Sequence, residues 1–386
     1  MNIKEKDGFY IANTYSRFPV LLKSGCGSIV KDDEGNEYID MATGIAVNTF
    51  GYSDKEWVKA VIEQLNSIQH TSNLYFSEPC VKLAEMLCEK TGMKKVFFSN
   101  SGAEANECAI KVARKYAAEK KGAEYNTIIT LKNSFHGRTI TTLAATGQDV
   151  FHKDFLPLTE GFVYCEANNC TELENLVKTY KTAAIMFETV QGEGGVLPLD
   201  GEFVRTVFDL AEKYDILTIS DEVQTGNGRT GKLYGYMNYG VKPDIFSTAK
   251  GLGGGLPLGA TVLGEKVENV LKSGDHGSTF GGNPAACAGA VNILSRIDDK
   301  LLDGVCKKSL YITEKLANVK GVKSVSGMGL MLGIETEKDA SQVIAECMKN
   351  GVLVIKAKNK VRVLPALNIP DELLIKAVDV IIAACQ

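Results

Sequence analysis

The feature that most constrains this chain begins near residue 56: helical periodicity alternates with short, uninterrupted apolar runs. Glu56–Ile68 and Cys80–Lys90 repeat apolar residues at helical spacing. KVFFS (95–99), a helix from Ala103 to about Lys120 and NTIITL (126–131) follow. AAIMFE (183–188), a helix over Glu202–Tyr214, ILTIS (216–220) and DIFST (244–248) continue the pattern. A strand apolar on both sides must be covered on both faces, and intervening helices supply that cover. The pattern predicts an α/β fold whose large domain is a mostly parallel sheet flanked by helices. Ahead of it, residues 28–40 read as a hairpin: SIVKD, a DEGN turn, then EYIDM. Beyond Asn283 a long helical stretch leads to GVKSVSGMGLMLGIET and VLVIKAKNKVRVLPAL, strands of a smaller α+β domain closed by a C-terminal helix. The expected division is an N-terminal segment (1–50) packing with the small domain, a large domain (51–283) and a small C-terminal domain (284–386).

Composition narrows the function. Among 386 residues, 45% are hydrophobic and 23% charged, which supplies a sizeable core and excludes a disordered or collagen-like chain. The net charge of −4, without a Lys/Arg block, argues against nucleic acid or an anionic membrane as the main partner. The 10 cysteines are scattered with no CxxC pair, as expected of small buried hydrophobes in a reducing compartment. MNIKEKDGFYIAN lacks the apolar core of a signal peptide, and no run reaches the roughly 20 apolar residues of a membrane span. A cytoplasmic protein is expected. The four histidines (70, 136, 152, 276) show no paired spacing, so no metal site is expected, and Asp32–Asp33–Glu34 lacks the order of a calcium loop.

In open α/β sheets, ligands bind at the carboxyl ends of the strands. KVFFS runs into Asn100-Ser101-Gly102-Ala103-Glu104 and a helix start, where free N–H groups suit an anion; the Ser101/Glu104 spacing also fits an ordinary capping box. NTIITL ends at a loop holding Phe135, His136 and Arg138, able to stack on a ring and clamp a carboxylate. AAIMFE ends at Glu188, followed by Glu193 between glycines. ILTIS ends at Asp221, where burial is costly unless a cation meets it. DIFST ends at Lys250, ahead of a glycine-rich loop. Taken together, an anion cradle, a ring-stacking aromatic, a carboxylate, a lysine and a carboxylate-binding arginine are what pyridoxal phosphate requires: phosphate at a helix N-terminus, a stacked ring, a protonated pyridine nitrogen and an aldehyde bound to an amine. Dinucleotide and P-loop readings fail, because Gly251-Leu-Gly-Gly-Gly-Leu256 lacks the final glycine and Lys250 precedes the glycines.

NSGAEANE (100–107), SFHGRT (134–139), QGEGG (191–195), SDEVQTGNGRTG (220–231), STAKGLGGGLPLGA (247–260) and GSTFGGNP (277–284) resemble the class III (ornithine-type) pyridoxal-phosphate aminotransferases, in order, from about residue 14 to the C-terminus. The resemblance implies fold-type I architecture and a Schiff base between Lys250 and the cofactor, Lys250 afterwards moving the proton. It implies that Asp221 pairs with the pyridinium, within a run where Glu222 also contacts the cofactor. Val223 should pack on the ring opposite Phe135, and Gln224 should lie near the ring hydroxyl. Ser101, Gly102 and Ala103 should cradle the phosphate. Thr279 should reach the phosphate of a neighbouring subunit, with Ser278 near the substrate, which makes a homodimer with shared sites. Arg138 should bind a substrate carboxylate, Arg362 a second one, and Glu193 should mask Arg362. YSRFPVLL (15–22), EYIDMATGIAVN (37–48) and GSTFGGNP further resemble the N-acetylornithine branch of the class, although Gly51-Tyr-Ser-Asp-Lys55 departs from its Gly-His-x-His-Pro-like turn. That implies transfer of a terminal amine to 2-oxoglutarate in arginine biosynthesis. Ornithine, succinylornithine, succinyl-diaminopimelate and 4-aminobutyrate are the alternative donors, and a non-catalytic binding protein is the alternative of another class.

Overall fold

The computed structural model describes residues 1–386. Seven strands build its central sheet: β1 (Lys95–Ser99), β2 (Thr127–Leu131), β3 (Phe162–Cys165), β4 (Thr182–Phe187), β5 (Leu217–Asp221), β6 (Ile245–Thr248) and β7 (Gly259–Leu263). They lie side by side in the order β1, β7, β6, β5, β4, β2, β3. From β6 to β3 all neighbours run parallel. β7 runs antiparallel to both β6 and β1. The sheet is therefore mostly parallel, as expected, with one reversed strand inside the glycine-rich STAKGLGGGLPLGA stretch and its continuation.

Every residue of β2, β4, β5, β6 and β7 is buried, and the sequences around the first four accordingly read as largely apolar runs. Alternate side chains serve opposite faces. Ile128 and Met186 join the core beneath the Gly102–Lys120 helix, with its Ala109 and Ala113. Ile129, Ile185 and Phe187 join the opposite core, with Phe203, Val204 and Val207 of the Gly201–Tyr214 helix. The alanines along the first helix let it lie close across most of the sheet.

The hairpin Ile29–Asp32/Glu37–Asp40 adds a parallel partner from far along the chain, Val352–Leu353. A second sheet places Val322–Met328, Met331–Thr336, Lys360–Val363 and Ile355–Ala357 in that order, all antiparallel. Its core is closed by side chains from the helices Asp299–Leu316, Ala340–Lys349 and Asp371–Cys385. No helix is long and apolar enough to cross a membrane. What the architecture does for the site is to bring the ends of β1, β2, β4, β5 and β6 to one edge of the large sheet, and strand Lys360–Val363 close to it.

Candidate active site

At that edge lies a cavity of about 490 Å³. Asp221 ends β5 there, 3% exposed, and its carboxylate is satisfied from several elements. Asn106 Nδ2, from the Gly102–Lys120 helix, donates to Asp221 Oδ2 at 2.7 Å. His136 Nδ1, from the loop after β2, lies 2.8 Å from the same oxygen. Val223 N donates to Oδ1 at 3.0 Å. Against a carboxylate, Nδ1 is the protonated ring nitrogen; His136 Nε2 is buried without a partner. The Asn106 amide also donates to His136 O at 2.7 Å, locking the histidine loop to the helix.

Lys250 follows β6 with φ +45°, a left-handed backbone that a non-glycine residue adopts at a cost. The turn is pinned on both sides: Asn227 Nδ2 donates to Ala249 O at 3.2 Å, and Thr49 Oγ1 donates to Gly251 O at 2.8 Å. Burial pushes the Lys250 pKa down. Glu193 opposes that shift, Arg362 reinforces it, and the net result is an amine more readily neutral than an ordinary lysine.

Ser101, Gly102 and Ala103 form the cavity wall at the start of a long helix, whose first N–H groups have no partner within it. Ser101 Oγ caps that helix by accepting from Glu104 N at 3.2 Å, while Glu104 Oε2 accepts from Asn100 N at 2.8 Å. A Cβ on Gly102 would come within 2.6 Å of Val223 Cγ1, so only glycine leaves Val223 its place. Phe135, Val223 and Gln224 also line the cavity. Arg138 stands exposed at its rim, its guanidinium 4.5 Å from the ring centre of Phe151.

Arg362 Nη1 donates to Glu193 Oε1 at 2.6 Å and to Gln224 Oε1 at 3.0 Å. The arginine side chain is 2% exposed and the glutamate 28%, so the carboxylate lies on the open side of the pair. Burial pushes the Glu193 pKa up, but Arg362 outweighs it and holds the group below the usual carboxylate range.

Of the expected site residues, Asp221, Lys250, Ser101, Gly102, Ala103, Phe135, Val223, Gln224 and Arg138 line one cavity, and Glu193 and Arg362 adjoin it through Gln224. Glu222 does not join them, which corrects its reading as a cofactor contact. Next to Asp221 on an extended backbone, it points the other way. There it is fully buried, accepting from Ser220 Oγ, Thr225 Oγ1, Gly235 N and Tyr236 N. Ser278 Oγ accepts from Asn100 Nδ2 at 3.2 Å, beside the end of β1. Thr279 is exposed and outside this chain's cavity. Sequence reasoning missed Asn106, Phe151 and Glu188 as site residues and left His136 as one loop residue among others. The carboxylate of Glu188 accepts from Phe135 N at 2.8 Å and Gly192 N at 3.3 Å, tying the loops after β2 and β4 together.

These residues fit pyridoxal phosphate. A buried carboxylate faces the cavity for a protonated ring nitrogen, Val223 and Phe135 offer apolar ring contacts, the helix starting at Gly102 offers free N–H groups for a phosphate, and a low-pKa lysine offers its amine.

Glu188 gives a pH prediction. Burial pushes its pKa up to about 7, with His136 lowering it and Asp221 raising it. The native state therefore holds this proton more tightly than the unfolded chain, where 4.5 is the ordinary value. The resulting stability is full below that value and is lost as pH rises through about 7. Glu188→Gln keeps the neutral form at every pH. Between about pH 5 and about pH 8, the urea midpoint of the cofactor-free variant should gain steadily on that of the parent. A difference that does not change with pH would contradict this assignment.

Residues 10–385 match the family Aminotransferase class-III. Acetylornithine aminotransferase of Haemophilus ducreyi is 49% identical over 381 residues, 98% of this chain and 97% of that protein. Among solved structures, an ornithine aminotransferase from Toxoplasma gondii, described with partial occupancy of PLP at its active site, superposes with a TM-score of 0.94 at 32% identity, over 99% of this chain and 93% of that one. N-acetylornithine aminotransferase from Stenotrophomonas maltophilia superposes with a TM-score of 0.86 at 34% identity, over 98% of this chain and 97% of that one. With nearly its whole length matched, and with a cavity built to receive pyridoxal phosphate, the chain belongs to the class III aminotransferases and is a pyridoxal-phosphate-dependent transaminase.

Proposed function

We propose that this enzyme transfers the terminal (δ) amino group of N2-acetyl-L-ornithine to 2-oxoglutarate, giving N-acetyl-L-glutamate 5-semialdehyde and L-glutamate, as a step of arginine biosynthesis in the cytoplasm. The carrying observation is the Arg362–Glu193 pair at 2.6 Å beside a cavity whose other arginine, Arg138, stands open. At its reacting end the donor bears only hydrogens where 2-oxoglutarate bears a carboxylate. With Arg362 neutralised by Glu193 the site accepts that uncharged end, and Arg138 holds the donor's distant carboxylate. 2-Oxoglutarate needs both arginines, so Glu193 turns aside. The names of the Haemophilus and Stenotrophomonas relatives support this donor.

When bound, pyridoxal phosphate supplies an aldehyde that captures amines and a ring that accepts the electrons of a broken C–H bond. Lys250 Nζ would hold that aldehyde, and its readily neutral amine would be the group that takes and returns the proton. Asp221, held by His136 and Asn106, keeps the ring nitrogen protonated. Ser101, Gly102 and Ala103 would hold the phosphate, Val223 and Phe135 would flank the ring, and Gln224 would serve its hydroxyl side.

The partner we propose is a second copy of this chain. Leu74, Tyr75, Phe76 and Phe280 are all exposed, an apolar group that a monomer would leave in water, and Phe280 follows Ser278 and Thr279 directly. In the dimer Thr279 reaches the neighbouring subunit's phosphate and Ser278 lies near substrate. The proposed division into an N-terminal segment (1–50) packing with a small domain (284–386), around a large domain (51–283), is supported by the pairing of Glu37–Asp40 with Val352–Leu353.

The cofactor-loaded protein should lose its visible absorption band on adding stoichiometric N-acetylornithine without 2-oxoglutarate, and recover it when 2-oxoglutarate follows. A band that persists there but is lost with ornithine or 4-aminobutyrate would replace the donor. No band at all with added pyridoxal phosphate would overturn catalysis. Shared sites give a second test, by mixing inactive Lys250→Ala and Thr279→Ala proteins under conditions that exchange subunits. Each mixed dimer holds one intact lysine–threonine combination, so activity should reappear. A mixture that stays as inactive as its components would rule out the cross-subunit role of Thr279.

A further inference from the structure

Three turns from distant parts of the chain meet beside the cavity. In the turn after β2, Asn133 has φ +66°. In the turn joining Ile355–Ala357 to Lys360–Val363, Lys358 has φ +51°. Lys358 Nζ donates to Asn133 Oδ1 across the gap. The third turn contains Gly194, where a Cβ would sit 2.6 Å from Asn133 O, so the two backbones touch. Gln191 Nε2 donates to Lys132 O at 2.8 Å, and Asn133 N donates to Gly147 O at 2.7 Å, which fixes the meeting point to the large sheet.

Each turn carries side chains that handle substrate in the reading above. The first leads to Phe135 and Arg138, the second leads into Arg362, and the third holds Glu193. Left-handed backbone on a non-glycine residue costs free energy, and here it occurs at both residues whose side chains bridge the gap. Neither residue lines the cavity. The other charges in this cleft are Lys132 and Glu166, paired with each other at 2.7 Å, and Asp149.

We propose that the Lys358–Asn133 hydrogen bond is a latch that sets the spacing between Arg138 and Arg362, and so governs recognition of the two-carboxylate acceptor. The proposal rests on the two-arginine reading of the site. A diacid gripped at both ends is sensitive to the distance between its two anchors. A donor gripped at one carboxylate is not. Lys358 and Asn133 are thus positioning residues for one half of the reaction only.

Two substitutions test this without straining either turn. Asn133→Gly removes the amide where glycine is at ease, and Lys358→Asn withdraws the amine while keeping a residue that tolerates this backbone. In the holoenzyme each should raise KM for 2-oxoglutarate by about three- to tenfold, with kcat/KM for N-acetylornithine changed by less than about twofold. The double variant should be no worse than either single one, because both remove the same bond. In the cofactor-free protein, amide exchange over 132–138 and 355–363 should quicken together. Equal losses for donor and acceptor, or an unchanged acceptor KM and exchange pattern, would overturn the latch. Arg362→Ala, run alongside, should impair the acceptor half-reaction much more strongly. Were it to spare that half-reaction, the two-arginine reading itself would be wrong, and the latch with it.

Discussion

A carboxylate buried at the end of a central strand is the constraint around which this site is organised. Asp221 is removed from water, and an unsatisfied anion there would cost more than the fold could tolerate. Its donors come from an adjacent backbone turn, from Asn106 on the long helix and from His136 in the loop after β2. Satisfying one charge therefore fixes three elements relative to one another. The same three elements carry Val223, the helix start suited to a phosphate, and the loop residues Phe135 and Arg138. Cofactor placement and the local fold follow from one electrostatic requirement.

Around that anchor the site holds two further buried charges whose surroundings differ. Burial leaves Lys250 readily neutral, poised to take a proton. Arg362 stays paired, and its partner Glu193 sits on the more open side of the pair. A charge pair with one accessible member can be opened by a substrate that brings its own carboxylate, which replaces Glu193 against the arginine. Neighbouring backbones hold the Glu193 turn closely, with Gly194 against Asn133 O and Gly192 N on Glu188. In the proposed switch only the glutamate side chain has to move, because its loop is held by these contacts.

Much of this was legible in the sequence because double-sided burial writes itself plainly. β2, β4, β5 and β6 are buried along their length and largely apolar, and the functional residues sit where those runs stop. β3, four residues and half-buried at the sheet edge, left no such mark, and β7 was hidden because its residues were read as part of a glycine-rich motif. Asn106 reads as an ordinary polar helix residue, since its partner lies 115 positions away. Glu188 was visible as a strand end, but its function as a tie between two loops depends on distant backbone N–H groups. Glu222 was misread for the opposite reason: adjacency in a motif suggested a shared task, whereas an extended backbone sends neighbouring side chains to opposite sides.

The central claim is that one cavity serves two unlike substrates because Glu193 neutralises Arg362 for one of them. Donor selectivity of Glu193→Ala, compared as kcat/KM for L-glutamate against N-acetylornithine, tests it most directly. With the mask removed, Arg362 favours a carboxylate at the reacting carbon, and the ratio should move toward glutamate by about tenfold or more, the equivalent of about 1.4 kcal/mol. An unchanged ratio would contradict the account.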